Sequence, residues 1–277
     1  MQTTIDGPHR PLPVADYVFD NKGRHAEARY RALSELYDAR TIHHIKTLGI
    51  DEGWSCLEVG GGGGSIASWL CQQVSDNGRV LATEIDPGFL RALPFSNLEV
   101  RRHDIQSDVL PERQFDLAHT RLVLMHLPER EAALKRIIAS LKPGGWIVLE
   151  EFDCLSIEPD PSVNPGEEVV KLRVALEQIL SARGVDLRYG RLLPQRLRAN
   201  GLVNIGAEAS LTIWGAGTSI MKINFQELRD PILQAGLMSQ AEFEAEMKRV
   251  DEEDFGMPSP MMWTVWGQVP DECPQQT

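Results

Sequence analysis

The stretch Glu58-Val59-Gly60-Gly61-Gly62-Gly63-Gly64-Ser65 decides the fold. It joins a short apolar run at residues 54–59, typical of a buried strand, to an amphipathic segment at 65–74, typical of a helix. Consecutive glycines remove every Cβ from the turn, so a ligand can approach the backbone closely. The free N–H groups at the start of the helix favour a negative or polar ligand group. The stretch therefore predicts a strand–turn–helix ligand site rather than a flexible linker.

The alternation of strands and helices continues after the glycines. The pattern predicts strands at 79–84, 98–102, 115–120 and 146–150, a short helix at 89–93, and a longer helix that begins at Pro128 and stops at Lys142-Pro143-Gly144-Gly145. Such alternation is typical of a parallel sheet that is covered by helices on both faces.

The C-terminal part of the chain alternates less regularly. Its pattern predicts helices at 167–182 and 192–199, a strand near 205–214, a helical stretch at about 217–254 and a last strand at 262–266. Within the helical stretch, Ser239 and Glu242 have the spacing of a capping box. We interpret this insertion as a lid over the rest of the domain.

The N-terminal part differs from the remainder. Residues 1–13 are polar and contain three prolines, which predicts a mobile arm, and the apolar spacing from Tyr17 to Leu48 predicts two helices ended by Gly49 and Gly53. We therefore divide the chain into an arm with cap helices at 1–50 and one main domain at 51–277.

Composition limits the class of protein. The chain has 277 residues, of which 42% are hydrophobic and 25% charged, and this excludes a fibrous or globally disordered protein. No apolar run reaches the roughly 20 residues of a membrane span, and the N-terminus lacks a signal-peptide pattern, so we expect a cytoplasmic protein without membrane contact. The net charge of −12 disfavours a nucleic-acid partner. The four widely spaced cysteines support neither a metal site nor a disulfide framework.

Two ligand classes fit the glycine-rich turn. The spacing Gly62-x-Gly64-x-x-Ala67 satisfies a dinucleotide-binding fingerprint, which leaves a nicotinamide-dependent oxidoreductase as an alternative. Glu58, which precedes the first spaced glycine, argues against that alternative. A carboxylate at this point repels a diphosphate but attracts a cationic amino-acid group.

The turn resembles the E/D-x-G-x-G-x-G motif of class I S-adenosylmethionine-dependent methyltransferases on Glu58, Gly60, Gly62 and Gly64. Four further elements resemble the family in order across residues 54–152. Glu84, followed by Ile85, stands where the family's acid binds the ribose hydroxyls, and Asp104, followed by Ile105, where its aspartate meets the adenine. The segments at 115–120 and 141–145 match the family's fourth strand and the turn before its fifth.

This resemblance implies fold and cofactor together. The fold would be a Rossmann-like, doubly wound α/β sheet of seven strands with the last strand antiparallel. The cofactor would be S-adenosyl-L-methionine, with S-adenosyl-L-homocysteine as its product, and residues 51–277 would form the methyltransferase domain.

Candidates for the reaction follow the fourth and fifth strands. His126 has a suitable unperturbed pKa for a general base, although it could equally cap the helix that begins at Pro128. Glu151 could orient a substrate, deprotonate it or stabilise a cation, or could be a solvated strand end. Arg121 could contact the cofactor's carboxylate or brace the loop by an ion pair. We expect His119, inside the fourth strand, to be a core residue.

A substrate pocket is also indicated by apolar residues outside the common sheet. We expect aromatic and methionine side chains to wall it: Tyr17, Phe19, Tyr30, Trp214, Phe225, Met257, Met261 and Met262. An exposed apolar lid would favour a homodimer. The chain reads Thr120-Arg-Leu-Val where methyltransferases of bases and of glutamine carry an Asn/Asp-Pro-Pro-Tyr/Phe motif.

The leading hypothesis is a methyltransferase that acts on O, N or C of a small-molecule metabolite, in particular a bacterial secondary metabolite. A second hypothesis retains the cofactor but replaces methyl transfer by a cyclisation or rearrangement. The nicotinamide-dependent oxidoreductase is a third, and a non-catalytic binding protein with the same fold is a fourth.

Overall fold

A computed structural model describes Phe19, Asn21 and residues 25–155, 168–215 and 218–271, with the side chains at 168–170 and 219 left aside. The predicted arm at 1–13, Tyr17 and Cys273 lie outside the described residues.

Seven helices and nine strands are described. The N-terminal half contains α1 Ala26–Thr47, β1 Ser55–Val59, α2 Ser65–Val74, β2 Arg79–Glu84, β3 Leu98–Arg102, β4 Phe115–Arg121, α3 Arg130–Ser140 and β5 Leu141–Asp153. The C-terminal half contains α4 Glu168–Ala182, α5 Tyr189–Ala199, β6 Val203–Ser210, β7 Ile213–Gly215, α6 Ser219–Gln234, α7 Gln240–Arg249, β8 Gly256–Pro258 and β9 Met261–Gln268. Single 3₁₀ turns occur at Leu90–Ala92 and Leu124–His126.

The main sheet has seven strands in the order β3-β2-β1-β4-β5-β9-β6. Strands β1 to β5 run parallel, and β9 is antiparallel to both of its neighbours. The predicted doubly wound sheet with an antiparallel last strand is therefore confirmed. The chain order reverses between β1 and β4, and ligands of open α/β sheets bind at the carboxyl ends of strands beside such a reversal.

Both faces of the sheet are buried under helices. On one face, Leu134 of α3 and Leu193 of α5 pack in the same cluster as Leu57 of β1. On the other, Ile45 of α1 and Leu70 of α2 pack with the opposite side chains of the sheet. This two-sided burial explains why the central strands read as continuous apolar runs in the sequence.

Two helices ended by Gly49 and Gly53 were predicted from Tyr17 to Leu48, and the described part of this stretch contains one. One helix of 22 residues, α1, occupies 26–47, and Gly49 follows it with a φ of +82°. The predicted strand near 205–214 is also divided, because β6 joins the main sheet whereas β7 pairs with β8 in a separate two-stranded sheet.

The insertion predicted as a lid packs on α1 and α4. Helix α6 contacts α1 and α4, and α7 contacts α4 and α6. Phe225 and Phe243 are buried there with Trp214 in a second hydrophobic cluster. Most of the large apolar side chains of α6 and α7 are thus buried against this chain, and the homodimer stays a prediction.

Across the described residues, no helix combines the length and hydropathy that a membrane span requires.

Candidate active site

A cavity of about 1060 Å³ lies at the carboxyl ends of β1 to β4. Val59, Glu84, Asp104 and Arg121 line it from the ends of these strands or the residues that follow, and Tyr30 of α1 lines it from above the glycine turn. Its volume is at the upper limit of the roughly 300–1,000 Å³ usual for one small ligand. The cavity therefore has room for a cofactor together with a small second molecule.

The glycine-rich turn forms one wall. Gly60, Gly62 and Gly64 have φ values of +70°, +50° and +84°, a region that side chains other than glycine rarely adopt. Gly63 is required for a different reason, since a Cβ at this position would lie 2.8 Å from the Cβ of Tyr30. The bare backbone is thus closely covered by α1 on one side and lines the cavity on the other.

Glu84 lines the cavity at the end of β2. Its Oε2 accepts a hydrogen bond from the Gly62 N–H at 3.1 Å, and its Oε1 accepts one from the Ile85 N–H at 2.9 Å. Burial raises the pKa of Glu84, although these backbone donors oppose the shift. The two amides orient the carboxylate, which retains lone pairs that can accept from ligand hydroxyl groups.

Asp104, Ile85 and Ile105 line the same cavity. The Oδ1 of Asp104 accepts from the Gln106 N–H at 2.9 Å, which fixes the carboxylate. Ile85 is 54% exposed although it is apolar, whereas Ile105 is buried. The cavity thus combines two carboxylates, which can bind polar ligand atoms, with two isoleucines, which can pack on a flat ring. This combination fits an adenosine moiety.

Glu58 is placed differently from the prediction. It is buried behind the glycine turn and is not among the described residues that line the cavity. Its Oε2 lies 2.7 Å from Nδ1 of His119, whose Nε2 lies 3.3 Å from Oε2 of Glu150. Burial alone would lower the pKa of His119, but the two carboxylates outweigh burial and raise the pKa to about 9. Glu58 is therefore the partner of a charged core histidine.

Glu150 completes this buried group. It accepts hydrogen bonds from the hydroxyls of Thr41, at 2.5 Å, and Thr264, at 2.8 Å. Burial would raise the pKa of Glu150, but His119, with Arg121 and Thr41, outweighs burial and lowers the pKa to about 2. Glu58, His119 and Glu150, which we call the core triad, connect β1, β4 and β5 beneath the cavity.

Arg121 lines the cavity but is engaged by α1. Its Nη2 donates to Oδ1 of Asp38 at 2.8 Å, and its Nη1 donates to Oγ1 of Thr41 at 3.0 Å. This is the bracing ion pair that the sequence left open as an alternative to a cofactor contact.

His126 lies on the 3₁₀ turn after β4 and lines the cavity. Burial, together with the positive charges of Arg130 and Arg29, lowers the pKa of His126 to about 4. The imidazole is therefore neutral at physiological pH, and the lowered pKa also makes it a weaker base than a free histidine.

Glu151 does not face the cavity. It is fully buried, and its Oε1 accepts from the N–H groups of Val123 and Leu124 at 3.1 and 2.7 Å. Its Oε2 accepts a longer bond from Met125. Burial outweighs these donors and raises the pKa of Glu151 to about 8. Both expectations for Glu151, a substrate-facing acid and a solvated strand end, are wrong because the carboxyl group caps the turn that carries His126.

The aromatic residues expected to wall the pocket divide into two groups. Phe19 and Tyr30 line the cavity. In the described part of the chain, Trp214, Phe225, Met257, Met261 and Met262 are absent from its walls. The first three are buried in the second cluster and the last two lie on β9, which explains their apolar character without a substrate.

Sequence reasoning missed the core triad. His119 was predicted to be a core residue, but its two acidic partners are 61 and 31 residues away in the chain. A signal was nevertheless present, since polar residues at similar heights of three adjacent, otherwise apolar strands indicate a buried polar group.

Comparisons with known proteins agree with this geometry. A family model described as a methyltransferase domain matches residues 57–147. Methyltransferase str3 of Strobilurus tenacellus is 26% identical over 201 residues, which cover 71% of this chain and 68% of that protein. The UbiE C-methyltransferase of ubiquinone and menaquinone biosynthesis from Laribacter hongkongensis is 28% identical over 151 residues, which cover 48% and 62%. The chain thus spans about two thirds of the length of these relatives.

Solved structures share the fold at low sequence identity. Phosphoethanolamine N-methyltransferase 2 of Haemonchus contortus has a TM-score of 0.58 and 15% identity, covering 95% of this chain and 62% of that one. The YcgJ protein of Bacillus subtilis has a TM-score of 0.53 and 13% identity, covering 83% and 97%.

Proposed function

Because the chain belongs to the class I S-adenosylmethionine-dependent methyltransferases, we propose that it transfers a methyl group to O, N or C of a small-molecule metabolite. The observation that carries the proposal is the single cavity that joins the glycine turn and Glu84 to the neutral His126. One end of this cavity suits the cofactor, and the other has a proton acceptor.

The residues at the cofactor end would have distinct roles in binding. Gly60 and Gly62 would hold the amino-acid portion against bare backbone, Glu84 the ribose, and Asp104 the adenine. Gly64 is absent from the described walls of the cavity and would act by allowing the left-handed turn into α2. Ile85 and Ile105 would pack on the adenine faces, and Glu58 would act from behind the turn by fixing β1. S-adenosylmethionine, when bound, would supply a methyl carbon activated by its sulfonium, with S-adenosylhomocysteine as the group that leaves.

His126 would serve the acceptor. An acceptor hydroxyl or amine loses its proton as its bond to the methyl carbon forms, and the neutral imidazole takes up that proton. Burial, with the charges of Arg130 and Arg29, holds the pKa of His126 low, so the ring is deprotonated from mildly acid pH upward. Glu151 positions this ring through the turn at 123–125. Arg121, braced by Asp38, shapes the wall between the two ends.

A small substrate is supported by the charge and the shape of the protein. The net charge of −12 opposes binding to a nucleic-acid backbone. The space beyond the cofactor end belongs to the same cavity of about 1060 Å³, which has room for a small second molecule but not for a macromolecule. Relatives include a methyltransferase of ubiquinone and menaquinone biosynthesis, which acts on a small molecule. A bacterial secondary metabolite is the substrate class that we propose.

The test begins with the cofactor. We expect calorimetric titration to show micromolar binding of S-adenosylhomocysteine and no binding of a nicotinamide dinucleotide. Absence of S-adenosylhomocysteine binding in folded, ligand-free protein would overturn the proposal. A screen of metabolites with isotopically labelled methyl donor then identifies the acceptor. Formation of a product while the label stays on the cofactor would instead indicate a cyclisation or rearrangement.

A further inference from the structure

The side chain of Val123 lies directly over the bare backbone of Gly60. If Gly60 carried a Cβ, the three atoms nearest to it would be the Cβ and the two methyl carbons of Val123, and Cγ2 would overlap it. Both residues line the cavity, and Val123 is half-buried rather than enclosed by the chain. Through this contact, Val123 joins the glycine turn to the turn that follows β4.

Val123 also belongs to the turn that carries the proposed base. The N–H of His126 donates to the Val123 carbonyl at 3.1 Å and closes this 3₁₀ turn. On the other side, the N–H of Gly60 donates to the Thr83 carbonyl at 2.9 Å, next to Glu84 at the end of β2. Because the sheet order is β2-β1-β4, the cavity wall runs from Glu84 through Gly60 to Val123 and His126.

The backbone that carries Val123 is held in an unusual conformation. Leu122 has a φ of +56°, in the left-handed region that leucine rarely adopts. Its N–H donates to the Glu150 carbonyl at 2.8 Å, and the N–H of Val123 donates to the side chain of Glu151. Strained backbone persists only where its surroundings fix it, and it is concentrated at functional sites. Since a β-branched side chain also has few χ1 rotamers, Val123 is fixed over Gly60.

We propose that Val123 limits the size of the alkyl group on the sulfonium, so that the protein accepts a methyl group and excludes larger ones. This inference rests on the proposed function. The sulfur of S-adenosylmethionine joins the ribose, which Glu84 would hold, to the amino-acid portion, which Gly60 and Gly62 would hold. An in-line displacement requires the alkyl group to point from the sulfur towards the acceptor. An alkyl group that points from there towards His126 would meet the side chain of Val123.

The experiment compares two cofactors that differ only at the sulfur. S-adenosylmethionine and its S-allyl analogue, which carries allyl in place of methyl, are titrated separately into the full chain by calorimetry. S-adenosylhomocysteine, which has no alkyl group at this point, is the reference, and no acceptor is needed. We expect the allyl analogue to bind roughly tenfold or more weakly than S-adenosylmethionine, because its two additional carbon atoms need space that Val123 fills.

Variants assign the preference to one side chain. Val123→Ala removes both methyl carbons, and we expect the difference between the methyl and allyl cofactors to fall to about threefold or less, with S-adenosylhomocysteine binding retained. Val123→Thr keeps the branched shape and should keep the preference of the unmodified protein. Val203→Ala is the matched control, because Val203 is an exposed valine of β6 and is absent from the described walls of the cavity.

Two results would overturn the inference: equal affinity of the unmodified protein for the methyl and allyl cofactors, or an unchanged preference in Val123→Ala. If Val123→Ala does not fold, Val123→Ile replaces it. The larger side chain should weaken S-adenosylmethionine binding relative to S-adenosylhomocysteine, and an unchanged ratio would overturn the inference equally.

The reference titration separates this failure from that of the proposed function. Protein that binds S-adenosylhomocysteine but shows no effect of residue 123 on alkyl preference retains the proposed function and loses only the size limit. Folded protein that does not bind S-adenosylhomocysteine loses both.

Discussion

Nδ1 of His119 lies 2.7 Å from Oε2 of Glu58, and this contact joins the strand before the glycine turn to its neighbour β4. The opposite side of the ring faces Glu150, which accepts a hydrogen bond from Thr41 of α1. The glycine turn, the sheet and the helix that covers the turn are therefore connected by one buried set of charges. Stability and cofactor binding should depend on it together.

The core triad predicts how stability varies with pH. The pKa of His119 rises from about 6.5 in the unfolded chain to about 9 in the folded protein, so its contribution is complete below pH 6.5 and disappears as pH rises through 9. The pKa of Glu150 falls to about 2, so its contribution is present above pH 4.5 and is lost as pH falls towards 2. Urea unfolding at a series of pH values measures both limits.

The variant His119→Leu tests the same group. It leaves two carboxylates buried without their cation, and we expect a loss of roughly 3–5 kcal/mol in the free energy of unfolding at neutral pH. The decline of stability between pH 6.5 and 9 should also become shallower than in the unmodified protein. An identical slope in both proteins would show that His119 is not the group that titrates there.

Glu84→Ala removes the acid at the end of β2. We expect binding of S-adenosylhomocysteine to weaken by about 1.5–3 kcal/mol, the usual contribution of hydrogen bonds to a charged group. Calorimetry measures the change. Glu99→Ala is the control, because Glu99 is an exposed acid on β3. Unchanged affinity in Glu84→Ala would contradict the ribose assignment.

His126→Ala removes the proposed base. Binding of S-adenosylhomocysteine should be retained, while turnover of a substrate that loses a proton should fall ~10²-fold or more. Since the pKa of His126 is lowered to about 4, its ring stays neutral and the rate should not depend on it between pH 6 and 8. His43→Ala, at an exposed histidine of α1, is the comparison. Equal turnover in both variants would leave His126 as a structural residue.

Glu151 is a positioning residue that orients the turn of His126. Two substitutions distinguish this role from a direct role in the reaction. Glu151→Ala leaves the N–H groups of Val123 and Leu124 without their acceptor, so we expect a loss of about 1–3 kcal/mol in stability and a lower kcat. Glu151→Gln keeps an acceptor oxygen and should restore most of both. If the glutamine variant were as inactive as the alanine variant, the carboxyl group itself would be required.

Gly63→Ala introduces a Cβ against the helix that covers the turn. Because the nearest atom is the Cβ of Tyr30, no side-chain rotation relieves the contact, and we expect a loss of about 1–3 kcal/mol in stability. Gly88→Ala is the control, since a Cβ there meets an atom only at 3.8 Å and the backbone needs no positive φ. Thermal unfolding compares the two. A stable Gly63→Ala protein would show that α1 adjusts freely.

Local patterns were sufficient to predict the sheet. Strands and turns are set largely by residues that are close together in the sequence, and hydrophobic periodicity detects such local patterns. Examples are the apolar runs at 54–59 and 146–150 and the glycines between β1 and α2. Between residue 25 and Gly49 the structure has one helix, α1, which packs on the sheet and on α6. Helical propensity alone does not predict this stabilisation of the helix by tertiary packing.

The candidate site was predictable in its cofactor half only. Glu84 and Asp104 follow strands, and the topology of a parallel sheet brings the ends of its strands together. The environment of Glu151 was predicted wrongly. The alternation of side chains along a strand predicts which face of the sheet a residue lies on, but not which backbone N–H groups its side chain contacts. The aromatic residues at 214 and 225 were misplaced because a buried core and a substrate pocket require the same side chains.

The contact between Tyr30 and Gly63 also constrains how this protein can diverge. Every residue except glycine has a Cβ at position 30, so a side chain at 63 is compatible only with glycine at 30 or with a displaced α1. Among related sequences, a residue with a side chain at 63 should therefore occur only with glycine at 30 or with a moved helix, whereas position 30 can vary while 63 stays glycine. The position of α1 therefore restricts which residues the glycine turn can contain.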